Sequence, residues 1–281
     1  MREINTAAVT GLVSSLYQEA NFSLPADVLA AFRNATQLEK SERGRKVLES
    51  LLENADIAAR GRVPLCQDTG LAVVFVRIGQ DVHLSGRPLA EAVNEGVARA
   101  QKEGCLRASV VNSPCLRREN TGDNTPAVIH EEIVPGEAFD IAVLPKGAGS
   151  ENMSRLRMLR PADGLTGVIN FAVETVEAAG AQPCPPVFLG VGVGGTMDRA
   201  AGLSKQALLR PAGKAHTDPE LAAVEQEILE RVNAVGIGPA GLGGTVTCLG
   251  VALEEVPCHI ASLPVAVNIQ CNCARRASGS L

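Results

Sequence analysis

The chain has 281 residues, of which 46% are hydrophobic and 20% charged, so it can bury a large core or two packed subdomains and is not disordered. Its formal net charge of −5, with no basic cluster longer than Arg117-Arg118 or Arg275-Arg276, excludes a general surface for nucleic acid or anionic membrane. Aromatic residues make up only 2%, which leaves no base-stacking platform and requires a core of Ala, Val, Leu and Ile.

Residues 4–59 read as helical. Ile4, Ala8, Leu12 and Leu16 recur at helical spacing, and Val47, Leu48, Leu51, Leu52 and Ala55 do so again, with Pro25 and Gly44 as punctuation. A loop around Cys66 leads into a strand at about 71–78, followed by a helix near 87–102. Residues 105–125 have loop character. Runs near 127–134 and 138–145, separated by Pro135-Gly136, predict an antiparallel hairpin. Asp163 is placed to cap a helix over 164–179 that Gly180 ends. A buried strand over 187–193 precedes helices near 196–210 and 219–234. Two apolar runs within 245–270 are separated by Glu254-Glu255-Val256-Pro257. The alternation predicts a mixed α/β (α+β) fold, a helical N-terminal part followed by helices on mixed, partly antiparallel sheets. No linker divides the chain, which reads as one domain over 1–281 that could comprise two packed α/β subdomains.

The chemistry concentrates in loops. Cys66-Gln67-Asp68-Thr69-Gly70 sets a soft metal ligand beside an amide and a carboxylate, between Pro64 and a strand. Gln182-Pro183-Cys184-Pro185-Pro186 and Ile269-Gln270-Cys271-Asn272-Cys273 are two further cysteine loops. Eight cysteines in a long apolar chain, with no signal-peptide core at Met1-Arg2-Glu3-Ile4-Asn5 and no apolar run of the ~20 residues of a membrane span, point to a reducing cytoplasm rather than to disulfides. Three cysteines in separate loops suit an iron–sulfur cluster with one iron open; the competing reading is that all eight are small core residues. By themselves, Asp68 reads as a turn residue, Arg107 as a surface charge and His259 as an ordinary satisfied histidine. His83, His130 and His216 belong to no motif and read as surface residues. Gly190-Val191-Gly192-Val193-Gly194-Gly195 fits a dinucleotide-binding pattern and raises an NAD-linked oxidoreductase as a rival; its other reading is close strand–helix packing. A binding subunit without chemistry is a third class, against which the polar, metal-capable loops argue.

Taken together, Cys66-Gln67-Asp68-Thr69-Gly70, Leu106-Arg107, Asn120-Thr121-Gly122-Asp123-Asn124, Lys146-Gly147-Ala148-Gly149-Ser150, Cys184-Pro185-Pro186, Val191-Gly192-Val193-Gly194-Gly195-Thr196 and Pro264-Val265-Ala266-Val267-Asn268-Ile269-Gln270-Cys271 resemble the N-terminal half of class I iron–sulfur fumarate hydratases and the α subunit of L(+)-tartrate dehydratases. The resemblance covers nearly the whole chain. It implies a 4Fe–4S cluster on Cys66, Cys184 and Cys271, with Cys273 as competitor for the third position and Cys105, Cys115, Cys248 and Cys258 structural. It implies substrate contacts from Gln67, Arg107 and Gly149, and proton handling by Asp68 and His259. Ala148, Glu151 and Met153 interrupt the family's glycine loop, and Asn272-Cys273 replaces its usual Ser-Ala.

The implied reaction is reversible hydration of fumarate to L-malate, with L-tartrate to oxaloacetate as the alternative. The sequence ends ten residues after Cys271. The resemblance therefore implies a separate β subunit carrying further catalytic groups, among them a threonine that takes the carbon-bound proton, in a heterotetramer.

Overall fold

The computed structural model describes all residues from Met1 to Leu281. Eight helices are α1 (Thr6–Phe22), α2 (Ala26–Leu38), α3 (Glu42–Gly61), α4 (Leu89–Glu103), α5 (Ala148–Glu151), α6 (Gly164–Ala179), α7 (Met197–Ala207) and α8 (Pro219–Ala234). Twelve strands are β1 (Arg2–Asn5), β2 (Leu71–Gly79), β3 (Val82–Ser85), β4 (Val111–Asn112), β5 (Glu119–Asn120), β6 (Val128–Val134), β7 (Phe139–Lys146), β8 (Arg155–Leu159), β9 (Val187–Gly194), β10 (Cys248–Val256), β11 (Leu263–Gln270) and β12 (Ala277–Ser280). The mixed α+β class read from the sequence holds. No helix is long and apolar enough to cross a membrane. The chain forms two compact units, one of Met1–Pro25, Asn54–Ala148 and Arg275–Leu281, the other of Ala26–Glu53 and Gly149–Ala274.

The first unit is built on the sheet β12-β7-β2-β6. Its centre is β2, Leu-Ala-Val-Val-Phe-Val-Arg-Ile-Gly, which pairs antiparallel with β7 and parallel with β6. The predicted hairpin is therefore wrong: both runs form strands, but β2 lies between them. An apolar run that fills both faces gains most from a central position, while β6, with Ile133 exposed, tolerates an edge. Ala72, Val74 and Val76 of β2 join Phe139, Ile141 and Val143 of β7 in a core with Val9, Val13 and Leu16 of α1 and Val93 and Val97 of α4. Ile4 is not helical. It lies in β1, paired parallel with β3, and Asn5 caps α1 by accepting from the Ala7 amide at 2.9 Å.

The second unit carries the sheet β10-β9-β11-β8, with β9 parallel to β10 and antiparallel to β11. Leu189 and Val191 of β9, Leu253 of β10 and Val265, Val267 and Ile269 of β11 face Phe171 and Val176 of α6 and Val224 and Ile228 of α8. On the opposite face α7 lies against β9. A Cβ on Gly190 would stand 1.9 Å from the Ser204 carbonyl oxygen, and one on Gly192 2.2 Å from that of Ala200. The glycine pattern is thus a packing device, with the backbone of α7 where a pyrophosphate would need room. Glu254, Glu255 and Val256 belong to β10 rather than to a break between runs. Gly44 lies inside α3, where a Cβ would come within 2.8 Å of Cγ of Glu39. Gly180 ends α6 with φ 56° as predicted, but the Asp163 carboxylate does not cap that helix. It accepts instead from the Arg160 amide at 2.8 Å and pairs with the Arg160 guanidinium.

Gly192→Ala is expected to lower the free energy of urea unfolding by about 3 kcal/mol, since strand and helix must part to admit the methyl. Gly202→Ala in α7, where a Cβ meets nothing within 4 Å, is expected to change it by no more than about 1 kcal/mol, in the stabilising direction.

Candidate active site

In the first unit the Cys66 loop closes on itself. The Asp68 amide donates to Cys66 Sγ at 3.4 Å, and Asp68 Oδ1 accepts from the Gly70 amide at 3.0 Å. Asp68 Oδ2 accepts from the Ala148 amide at 2.9 Å, and Ser109 Oγ reaches Oδ1 at 3.4 Å. Ser109 stands two residues beyond Arg107, so the arginine's segment is pinned to the Asp68 carboxylate. Gln67 and Arg107 are exposed, and Cys66 and Asp68 half-buried.

Below this loop lies a buried polar network. The carbonyl of Gly70 accepts from Tyr17 Oη at 3.3 Å and from Asn124 Nδ2 at 2.9 Å, and Asn124 Nδ2 also donates to Tyr17 Oη at 2.8 Å. Gly70 takes φ 77° against the backbone at Lys146, where a Cβ would clash at 2.5 Å. Arg275, only 1% exposed, donates to Asn21 Oδ1 at 2.9 Å, while its Nε meets no acceptor. Its Nη2 and Asp68 Oδ2 flank the same backbone position, Gly147. Burial pushes the Tyr17 hydroxyl up to about 12, against the opposing Arg275 charge and the Asn124 hydrogen bond; the Asp68 charge adds to the rise.

In the second unit the structure brings two of the three cysteine loops together. Asn272 donates through its backbone amide (3.2 Å) and its Nδ2 (2.9 Å) to the carbonyl of Cys184. Cys184 is exposed, at φ 54°, and Cys271 and Cys273 are half-buried. Exposed Gly149 lies against the same loop, its Cβ position 3.5 Å from the Gln182 carbonyl oxygen. His259 occupies the exposed turn between β10 and β11. Its Nδ1 accepts from the Ala261 amide at 3.1 Å, so the neutral ring carries its proton on Nε2. It borders a cavity of about 460 Å³ with Met158 of β8 and with Thr196, Met197 and Arg199 at the start of α7. Gly195, whose amide donates to the Pro257 carbonyl at 3.2 Å, holds this turn against the end of β9.

None of the eight cysteines is in a disulfide. Only Cys248 of the four assigned structural roles is a core residue, and burial pushes its thiol up to about 12; Cys105, Cys115 and Cys258 are exposed. His83 is exposed as expected, whereas His216 is half-buried and its Nδ1 accepts from the Asp218 amide. His130 is not a surface residue: it is half-buried and stacks on Phe75 at 4.8 Å.

No three His, Cys, Asp or Glu side chains converge tightly enough to hold a single metal ion. A cubane takes one thiolate per iron, so its ligands stand farther apart. The donor set suits such a group: three cysteines on irregular loops, one receiving a backbone N–H at sulfur. Buried polar atoms without partners also flank these loops, namely Thr69 Oγ1 beside the first and Asn268 Oδ1 and Gln270 Oε1 before the third. Ser109, Tyr17, Asn124 and Arg275 carry no site signal in the sequence. Asn124 lies within Asn120-Thr121-Gly122-Asp123-Asn124, but nothing there marks its side chain as a buried donor.

A profile of the fumarate hydratase (Fumerase) family matches residues 10–280. A Methanocaldococcus jannaschii protein named "Putative L(+)-tartrate dehydratase subunit alpha" is 45% identical over 274 residues, covering 96% of each chain. The L(+)-tartrate dehydratase subunit alpha of Escherichia coli (strain K12) is 31% identical over 270 residues, covering 95% of this chain and 89% of its own.

Tyr17 is the only tyrosine and there is no tryptophan, so ultraviolet titration reads this network alone. Tyrosinate absorbance of the folded protein is expected to rise with a midpoint near 12 rather than near 10. Because the folded-state value is raised, the contribution of Tyr17 to stability is complete below pH 10 and is lost as pH climbs to 12. A midpoint near 10 in folded protein would refute the buried network.

Proposed function

The chain belongs to the fumarate hydratase (Fumerase) family of hydro-lyases, and on that premise we propose that it is the α subunit of a 4Fe–4S-dependent enzyme that reversibly adds water to a four-carbon unsaturated dicarboxylate. Hydration of fumarate to L-malate is the first reading. Dehydration of L(+)-tartrate to oxaloacetate is the second, favoured by the names of relatives that cover nearly the whole chain. The observation that carries the proposal is the Cys66–Asp68 turn, in which one short loop offers a cysteine sulfur and a carboxylate anchored to the Arg107 segment through Ser109.

Cys66, Cys184 and Cys271 would hold the cluster, which when bound supplies an open iron as Lewis acid toward the departing hydroxyl. Asp68 holds or moves the proton. The Gly70 and Ala148 amides and the Ser109 hydroxyl fix its two oxygens, so it meets substrate in one orientation. Arg107 presents an exposed planar fork suited to a substrate carboxylate, and Gln67 stands next to Asp68. Gly149, without a side chain beside the Cys184 loop, lets substrate approach the backbone. His259 offers an Nε2–H as donor or relay. A β subunit completes the site and supplies the base for the carbon-bound proton, in a heterotetramer. Cysteines outside disulfides suit the cytoplasm as its location.

Anaerobic reconstitution with iron and sulfide tests the ligand set. Cys66→Ser, Cys184→Ser and Cys271→Ser are each expected to lose the brown absorbance and most iron, and Cys273→Ser to keep both. A full cluster in Cys184→Ser, with loss in Cys273→Ser, would reassign the ligands.

Asp68→Asn is expected to keep the cluster while turnover with the β subunit falls by about 10²–10⁴. Parallel assays on L-malate and L(+)-tartrate decide between the two substrates, and a near-normal rate would make Asp68 a turn residue only. Arg107→Lys is expected mainly to raise KM, since lysine cannot form the bidentate pair.

A further inference from the structure

Glu39 lies in the connection between α2 and α3 and is only 1% exposed. The other buried glutamate, Glu225, is paired with Arg210. The Glu39 carboxylate is instead closed by backbone donors. Its Oε1 accepts from the Ser41 amide at 2.8 Å and the Thr245 amide at 3.0 Å, and its Oε2 from Thr245 at 2.9 Å and Val246 at 2.8 Å. The Lys40 amide adds a bond to Thr245 Oγ1 at 3.2 Å. Burial acts to raise the Glu39 carboxyl, but these amides outweigh it and hold it below the usual carboxylate range. Gly244, at φ 146°, lies so close that a Cβ would stand 2.8 Å from the carboxylate.

The segment that Glu39 grips is a glycine-rich turn, Gly236-Ile237-Gly238-Pro239-Ala240-Gly241-Leu242-Gly243-Gly244-Thr245, which touches the Cys184 loop at two points. The Ala240 amide donates to the Pro185 carbonyl at 2.8 Å, and Gly241 presses on Ala181, where a Cβ would meet Cβ at 2.3 Å. Thr247 closes the base, accepting from the Gly238 amide at 3.1 Å and offering its carbonyl to the Val187 amide at 2.9 Å. On its other flank the Cys184 loop is bound by Asn272. Cys184 itself sits in the left-handed region, which a β-carbon disfavours, so its conformation needs support from outside the loop.

We infer that Glu39 is a positioning residue for Cys184, acting through the glycine-rich turn that it clamps. Without the carboxylate, the Val246 amide is left buried with no acceptor, the Thr245 amide at its exposed residue turns to solvent, and the turn relaxes toward water. Its contacts to Pro185 and Ala181 relax with it, and the Cys184 loop opens. The ligand role of Cys184 rests on the function proposed above; the restraint on its loop does not.

The test uses the full chain without metal, in wild type, Glu39→Gln and Glu39→Ala, with hydrogen exchange read by mass spectrometry over 181–187 and 236–247, and with the alkylation rates of Cys248 and Cys66. Cys184 is already exposed, so its loop is read through the Cys184 and Val187 amides, which donate to Ala181 and Thr247. Cys248, in the core of the same unit, reports global opening, and Cys66 reports the other unit. The expected result for Glu39→Ala is about tenfold faster exchange over 181–187 and faster exchange in the turn, with Cys248 and Cys66 alkylation unchanged. Glu39→Gln, which keeps one acceptor, is expected to give a smaller rise and serves alone if Glu39→Ala does not fold. Unchanged exchange over 181–187, or a rise matched by Cys248 alkylation, overturns the inference. After reconstitution, faster iron loss from Glu39→Gln than from wild type is expected. A wild-type chain that binds no iron, with selective opening at Cys184, overturns the cluster reading and leaves the clamp standing.

Discussion

The Asp68 carboxylate closes the turn that also carries Cys66, and much of the first unit is arranged around that closure. A carboxylate with two anchored oxygens needs donors at fixed positions: Gly70 from its own turn, Ala148 from the start of α5, and Ser109 from the Arg107 segment. Those donors hold only if Gly70 is itself fixed, which is the work of Tyr17 and Asn124 on its carbonyl. Arg275 adds a buried positive charge near the same carboxylate, so the anion faces donors and a cation instead of an apolar wall.

The second unit answers a different constraint, the close approach of backbone to backbone. Gly190 and Gly192 let α7 rest directly on β9, and Gly194 does the same for β10 at the Val256 carbonyl. This contact sets where α7 begins and where the turn bearing His259 lies. The turn over Gly236–Thr245 uses the same device, with positive φ at five glycines and at Ala240. Such loops have little side-chain packing to hold them, so polar anchors such as Glu39 and Asn233 carry that role. Asn233 Oδ1 takes the amides of Thr247 and Cys248, both at 2.8 Å.

Elements with strong local signals were legible in the chain. Helix α8 occupies the predicted 219–234, α6 runs over 164–179, and β2 and β9 begin where their apolar runs begin. The hairpin failed because a turn signal at Pro135-Gly136 says only that two strands end there, not which strand each will pair with; β2, far earlier in the chain, took the place between them. Ile4 fitted a helical period, but four residues are too few to distinguish periodicity from a short strand that finds β3 as a partner. Gly44 looked like a break, and its lack of a side chain instead makes room for Glu39.

The sequence by itself determined the chemistry available: the cysteine loops, the Gln67-Asp68 pair, Arg107 and the family they resemble, because donor type and local spacing are written in adjacent residues. It also determined that the glycines of β9 had to serve either a ligand or a packed helix. Only the tertiary structure decided which, and only it revealed Ser109 on Asp68, Asn272 on Cys184, Tyr17 and Asn124 on Gly70, Arg275 beside Gly147 and Glu39 on the glycine-rich turn. The reason is physical. Each of these is a few hydrogen bonds or a close approach between residues distant in the chain, made by residue types that are common everywhere. No local period or spacing encodes such a meeting; it exists once the sheets have paired and the helices have packed.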